Sequence, residues 1–262
     1  AGLAPLGMVS RPKDLATQQA AAAVGQGLLI SYYSEALSRK SILVSQVLLT
    51  IDDVVRRAHY QNAQRTLFKL LQLGVVPIIN ENDSVGVQEI RFGDNDRLAA
   101  LVSHLIGADL LILVTDIDSL YDAPPSNTSA QRISHVSDVS KLADVQIGGV
   151  GSSGVGSGGM VTKIDAARIA TGAGVAMLLT SLEKLPQAIQ GGDVGTFFDA
   201  IHDRKPSRLL WLQHASTPRG KLIIDDGAVT ALRERGVSLL PAGVKGVEGE
   251  FIAGDTVELV SM

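Results

Sequence analysis

An α/β fold, a three-layer αβα sandwich around a mainly parallel sheet followed by a small partial β-rich unit, is what this sequence predicts. Three observations carry it. Short apolar runs of strand length alternate with helical stretches through the first 200 residues, the pattern of a parallel sheet covered on both faces. Apolar residues make up 45% of the 262, enough to bury a large core. Near residue 200 the pattern breaks into short alternating pieces between Gly-rich turns.

The elements follow in order. Pro12 and Asp14 lead into an Ala-rich helical stretch, Leu15 to Leu37, with a Pro and an acid where a helix start favours them. Ile42 to Leu49 reads as a strand, followed by Thr50 and two aspartates. Gln61 to Leu73 is helical, with Leu67, Leu70 and Leu71 on one face and Gly74 closing it. Val75 to Ile79 is a strand whose Pro77 points to an edge or a bulge. Asp96 to Ile106 is amphipathic through Leu98, Leu101, Val102 and Leu105, and Gly107 ends it. Leu110 to Val114 is a strand, a helix begins near Met160, and Val175 to Leu179 is a further strand. Residues 1–201 form the first domain on this reading. A polar linker containing HDRKPSR spans 202–218, and 219–262 form the small β-rich domain, with strands at Lys221 to Ile224 and Thr256 to Val260.

Composition removes whole classes of function. With no cysteine there is no disulfide scaffold, zinc–thiolate site or thiol nucleophile. No apolar run approaches the ~18 residues of a membrane-spanning helix. The net charge is −4 and aromatics are 4%, so a nucleic-acid backbone finds neither a basic stripe nor stacking platforms. Residues 201–262 carry eight basic and eight acidic side chains, which leaves the whole deficit in the first domain. The opening AGLAPLGM has no basic or apolar leader segment, and it reads as the interior of a longer chain in a reducing, cytoplasmic setting.

The densest chemical signal is GGVGSSGVGSGGMVTK, Gly148 to Lys163. Glycines let backbone N–H groups converge on an anion, and the helix that follows aims its positive end at the same place. Lys163 falls in the first turn of that helix, a poor place for a cation unless it faces an anion. The run fits neither the dinucleotide fingerprint, lacking a preceding strand, nor a P-loop, because Thr162 rather than Gly precedes the lysine. A glycine linker is the simpler reading of the same string. Asp94, Asn95 and Asp96 precede an amphipathic helix; a cap would explain one of them, while two carboxylates and an amide could also hold an ammonium group or order nearby lysines. Asn80 to Asp83, Thr115 with Asp116, and Thr180 with Ser181 each follow a strand, where ligands of open α/β sheets bind. No G-x-S-x-G elbow occurs and the five histidines show no i, i+4 pair, so hydrolytic and metal-ligand readings fail.

Together the strings KDLATQQAAAAVGQ, VVPIINENDSV, RFGDNDRLAALVSHLIGADLLILVTDIDSLY and GSGGMVTK, in that order, resemble the amino acid kinase family, in the branch that phosphorylates free glutamate. The tail DDGAVTALRERGVSLLPAGVKGVEGEF resembles the front of a PUA domain. The resemblance implies transfer of the γ-phosphoryl of ATP, with Mg2+, to the side-chain carboxylate of L-glutamate, the first step of proline biosynthesis. It implies that Lys163 contacts the transferred phosphoryl and Asp96 organises the catalytic lysines. Asp83 and Asn95, with Asn80 and Asp94 nearby, would hold glutamate. Thr115, Asp116 and the stretch Ser157, Gly158, Gly159, Met160, Val161, Thr162 and Lys163 would line the ATP site. A homo-oligomer inhibited by proline is implied too. In the family a first strand supplies a second phosphate-binding lysine and a Ser-Ser-Gly turn supplies a substrate serine; the match here begins just after that turn. Two other readings are a kinase of the same family acting on aspartate or N-acetylglutamate, and an RNA-binding PUA-type protein. The acids near the expected substrate head favour an unblocked amino acid, and the zero net charge of residues 201–262 argues against RNA.

Overall fold

The computed structural model of the chain describes residues 2–50, 53–54, 57–84, 95–123, 129–144, 159–201, 218–253 and 255–262. Helix α1 (Leu15–Ser38) begins at Asp14, whose side chain accepts from the Thr17 N–H at 2.8 Å and satisfies one of the unpaired donors of the first turn. That hydrogen bond holds the Asp14 carboxyl below its ordinary range. The helix buries a stripe of small residues, Ala21 and Gly25, together with Gln26. The chain entering it lies tight on that stripe, for a Cβ at Gly2 would overlap the Ala21 carbonyl.

Strand β1 (Leu43–Leu49) pairs in parallel with β2 (Val75–Glu81), Leu43 opposite Val75 through Leu49 opposite Glu81. Between them runs α2 (Arg57–Gln72), with Leu67 fully buried, and Gly74 in the left-handed region (φ 72°) turns the chain into β2. Pro77 lies within β2, which has one hydrogen-bonded neighbour among the described residues, as its missing N–H requires. The Gln64 amide donates to the Leu105 carbonyl at 2.8 Å and so satisfies an end of the next helix, α3 (Asn95–Leu105).

A second sheet has the order β3-β7-β8-β6. Strands β3 (Leu110–Thr115) and β7 (Ala176–Ser181) are parallel and in register to their last residues, Thr115 opposite Ser181. β8 (Thr196–Phe198) runs antiparallel to β7, and the two-residue β6 (His135–Val136) runs parallel to β8. A small antiparallel pair, β4 (Leu120–Tyr121) with β5 (Arg132–Ile133), stands beside it. Helix α4 (Met160–Gly172) is held between two apolar clusters. Ala166, Ile169 and Ala170 pack with Leu98, Leu101 and Val102 of α3 and with Leu49, while Ile164 and Ala167 pack with Leu113, Met177, Leu179 and Phe198. Ala100, Ala166 and Ala170 are fully buried, and side chains that small let α3 and α4 approach closely. A short helix, α5 (Leu185–Ile189), follows β7.

A further three-stranded sheet is centred on β9 (Gly220–Ile224), flanked by antiparallel β10 (Val244–Gly249) and parallel β11 (Glu258–Ser261). Helix α6 (Asp226–Arg235), absent from the sequence reading of this region as small β structure, starts at Asp225. The Asp225 carboxylate accepts from the Ala228 N–H at 2.9 Å and pairs with Lys245 at 3.0 Å, and both contacts lower its pKa.

The pairings β1–β2, β3–β7 and β6–β8 are parallel, as a mainly parallel arrangement predicts, while β8 is antiparallel to β7 and β4, β5 and β6 are too short to show a period. Strand ends shift as well. β2 runs to Glu81, so Asn80 sits inside the strand rather than beyond it, and β7 includes Thr180 and Ser181.

Buried Thr196 ties the short strands together. Its hydroxyl donates to the Ile133 carbonyl at 2.6 Å and accepts from the Leu120 N–H at 2.8 Å. Thr196→Val keeps the shape and strands both partners, which should lower stability by about 1–3 kcal/mol. Urea unfolding with the m-value unchanged would measure it.

Candidate active site

Helices α3 and α4 bring their first turns together. Lys163 in the first turn of α4 places its Nζ 3.1 Å from Asp96 Oδ2, in the first turn of α3. The two side chains are only 10% and 16% exposed. The Thr162 hydroxyl lies 3.2 Å from the same carboxylate oxygen and 2.8 Å from the Gly159 carbonyl, to which it donates. Gly159 at the helix cap has no side chain to accept from the first N–H groups of α4, of which that of Thr162 is taken by the Gly159 carbonyl at 3.1 Å. A lysine at this end of a helix opposes the helix dipole, and the Asp96 carboxylate compensates it while reinforcing the dipole of its own helix.

The register of β3 and β7 builds a second feature. Because both strands end together, the loops that follow them run side by side. They enclose a cleft of about 740 Å3 lined by Thr115, Asp116, Ile117 and Asp118 on one side and Ser181 to Lys184 on the other. The Thr115 hydroxyl is 2.9 Å from Asp116 Oδ1. Tyr121 closes the cleft, its hydroxyl donating to Asp118 at 3.1 Å; partial burial, then the Asp118 carboxylate, raises its pKa. The volume suits a ligand of nucleotide size.

A third feature lies where the chain entering α1 meets the end of β2. A cleft of about 370 Å3 has Ala21, Ala22 and Gly25 on one wall and Asn80 and Asp83 on another, with Arg11, Gln18 and Gln26 adding polar groups. It combines one cation, one carboxylate and several amides over a floor of small residues, the chemistry of a zwitterion site.

The structure thus brings together Asn80 with Asp83, Thr115 with Asp116, and Thr162 and Lys163 with Asp96. Asn95 opens α3 with its side chain exposed, and Gly159, Met160 and Val161 form the start of α4 without lining either cleft. Asp94, Ser157 and Gly158 lie outside the described residues. Arg11, Gln18 and Gln26 in the smaller cleft, and Asp118, Tyr121, Glu183 and Lys184 in the larger, were not singled out by the sequence reading. For Gln26 a signal existed, since it is the polar residue ending AAAAVGQ on a helix that otherwise buries small apolar side chains.

Asp96→Ala leaves a buried ammonium without its carboxylate and should destabilise the protein by about 3–5 kcal/mol. Adding Lys163→Met removes that ammonium, so the double variant should recover part of the loss. Thermal unfolding of the two single variants and the double would measure the coupling.

Comparison with known proteins gives the chain a family. The family model for the amino acid kinase family matches residues 5–181, and that for the PUA domain matches residues 220–262. The chain is 59% identical over 259 residues to a glutamate 5-kinase of Streptomyces coelicolor, covering 99% of this chain and 69% of that protein. It is 60% identical over 259 residues to the glutamate 5-kinase of Streptomyces avermitilis, with the same coverage. For the glutamate 5-kinase of Salinispora arenicola the figure is 57% over 260 residues, covering 99% and 70%. A crystal structure of E. coli aspartokinase III in complex with aspartate and ADP is similar at 18% identity and a TM-score of 0.48, over 78% of this chain and 45% of that one. With a family model over most of its first 200 residues and relatives at this identity across nearly its whole length, the chain belongs to the amino acid kinase family, alongside the glutamate 5-kinases.

Proposed function

We propose that this chain phosphorylates the side-chain carboxylate of L-glutamate with ATP, yielding glutamyl 5-phosphate and ADP, the step that opens proline biosynthesis. The buried Lys163–Asp96 pair at the meeting of two helix N-termini carries the reading, supported by the identity of the chain to glutamate 5-kinases. A carboxylate is already a nucleophile at neutral pH, so the reaction needs no general base. One side-chain oxygen attacks the γ-phosphorus, the new O–P bond forms as the bond to the β-phosphate oxygen breaks, and ADP leaves with those electrons. What remains for the protein is positioning and neutralising the negative charge spread over the phosphoryl oxygens.

On this reading Lys163 meets the transferring phosphoryl, and Asp96 with the Thr162 hydroxyl fixes where its ammonium sits. The N-terminal N–H groups of α4 and the glycine run before it, including Ser157 and Gly158, take the phosphates. Thr115 and Asp116 belong to the nucleotide cleft beyond β3 and β7, whose volume and polar rim fit ATP. Asp83 takes the α-ammonium of glutamate, with Asn80 beside it in the smaller cleft, and Asn95 at the start of α3 and Asp94, outside the described residues, complete the set. Mg2+ would neutralise phosphate charge. Among the described residues no group of three or more His, Asp or Glu is placed to hold it, so the phosphates of ATP would supply its ligands. The same reading includes a homo-oligomer, inhibition by the end product proline, and a cytoplasmic enzyme; among the described residues no helix is long and apolar enough to cross a membrane.

An ADP-coupled assay with glutamate, aspartate and N-acetylglutamate separates this reading from its neighbours in the family. Glutamate should be preferred, and preference for the acetylated substrate would overturn the reading. Lys163→Ala should lower kcat by ~10²–10³, about 2.7–4 kcal/mol, with a smaller effect on the glutamate KM. Lys163→Arg should not restore it, because a planar guanidinium cannot put a point charge where the ammonium sat. Asp83→Ala should act mainly on the glutamate KM. A folded Lys163→Ala protein turning over within about threefold of the parent would remove Lys163 from the phosphoryl site.

A further inference from the structure

We infer that Gln26, held by Gln46, is the group that recognises the α-carboxylate of the amino-acid substrate; the inference rests on the proposed function and assigns a residue that reading does not use. Gln26 is 8% exposed although it carries an amide, and it lines the smaller cleft together with Asn80 and Asp83. A buried amide needs partners for its oxygen and its nitrogen alike. The oxygen has one, because Gln46 Nε2 on β1 donates to Gln26 Oε1 at 3.0 Å. The same Gln46 nitrogen also donates to the Gln26 backbone carbonyl at 3.3 Å. That second bond fixes the orientation of both amides. A backbone carbonyl can only accept, so the group of Gln46 facing Gln26 is its NH2, and the side-chain atom of Gln26 facing Gln46 is its oxygen. The Gln26 NH2 is therefore turned away from β1, and among the described residues no acceptor is hydrogen-bonded to it. Two N–H donors on a buried, orientation-locked amide at the wall of a cleft are matched by a ligand oxygen.

The chemistry of the substrate says which oxygen. The reacting carboxylate must reach the phosphoryl held by Lys163, so the cleft with Asp83 takes the other end, the carbon bearing the ammonium. The α-carboxylate hangs on that same carbon and cannot leave the cleft its ammonium occupies. Asp83 supplies the anion for the ammonium, and a group that can only donate must face the carboxylate. Gln26 meets that requirement without bringing a second charge into the wall formed by Ala21, Ala22 and Gly25. Gln46 is a positioning residue, acting through Gln26 alone.

Steady-state kinetics on the full chain would test both roles with L-glutamate and with 4-aminobutyrate, which keeps the ammonium and the reacting carboxylate but lacks the α-carboxylate. Gln26→Glu removes both donors at nearly constant shape and sets a negative charge against the α-carboxylate. It should raise the glutamate KM by about tenfold or more, fall mainly on KM rather than kcat, and cost glutamate far more than 4-aminobutyrate in kcat/KM. Gln46 offers an independent handle on an exposed side chain. Gln46→Glu presents only acceptors, which turns the Gln26 amide over and points its oxygen at the substrate, so it should reproduce the glutamate-specific KM defect. Gln46→Met merely frees the amide and should cost less than Gln46→Glu. Equal losses on both substrates would make Gln26 a structural residue, and a glutamate KM within about twofold of the parent in Gln26→Glu would show that it makes no contact; either result overturns the inference. A parent that prefers N-acetylglutamate would instead overturn the proposed function, and the inference with it.

Discussion

The ion pair between Lys163 and Asp96 constrains the rest of the kinase domain. A lysine in the first turn of a helix works against the helix dipole, and one that is 10% exposed is also cut off from water. Neither condition is tolerable unless a carboxylate stands within about 3 Å, and the only way to bring one from another helix is to let two helix N-termini converge. That convergence demands close helix packing, and fully buried Ala100, Ala166 and Ala170 among Leu98, Leu101 and Ile169 keep part of the α3–α4 contact small. It also demands that α4 be gripped on both sides, and the two apolar clusters along it provide that grip. The core around α4 thus holds a buried cation beside its partner carboxylate, the group the proposed function assigns to the transferring phosphoryl.

The remaining geometry distributes the substrate over separate elements. Parallel strands in register to their last residues, Thr115 and Ser181, give the two loops that wall the larger cleft. The small-residue stripe of α1 and the end of β2 give the other. Thr196, buried in the short-strand region, fixes Leu120 and Ile133, and so holds the strand that carries Tyr121 into the larger cleft. None of these positions calls for an acid–base pair. A carboxylate nucleophile and a phosphoryl donor need alignment and neutralisation, which fixed charges and backbone dipoles can supply.

Much of this was legible in the sequence, for reasons that can be traced to particular residues. The α1, α3 and α4 helices and the β1, β2, β3 and β7 strands announce themselves because each is long enough to show a period or a run, and Gly74 and Gly107 mark two boundaries with the positive φ they adopt. β6 and β8 were not legible because two or three residues carry no period, and their pairing is decided by strands far away in sequence. The antiparallel direction of β8 has no local signature at all. In the site, Lys163 and Asp96 stood out because charges beside glycines and caps are conspicuous, though their meeting at 3.1 Å depends on α3 and α4 packing, which no local pattern encodes. Helix α6 hid behind β-rich surroundings, although its Asp-Asp-Gly start is a cap signal. Gln26 escaped notice because a glutamine on an alanine-rich helix looks like a solvated residue until burial and Gln46 define it.

The division of charge between the clefts also bears on how a substrate with two carboxylates is kept from binding backwards. A head cleft built from cations alone would attract either end of glutamate, and a reversed molecule would present its α-carboxylate to the phosphoryl. Asp83 breaks that symmetry, because a lone side-chain carboxylate placed beside it is repelled, whereas the end carrying an ammonium is attracted. A neutral donor such as the Gln26 amide then suits the α-carboxylate better than a second cation at the same spot would. A cation there would neutralise Asp83 and give back the ambiguity that Asp83 removes. On the proposed assignment, one carboxylate and one locked amide orient the substrate, and the strong cation is reserved for the end of the molecule that takes the phosphoryl group.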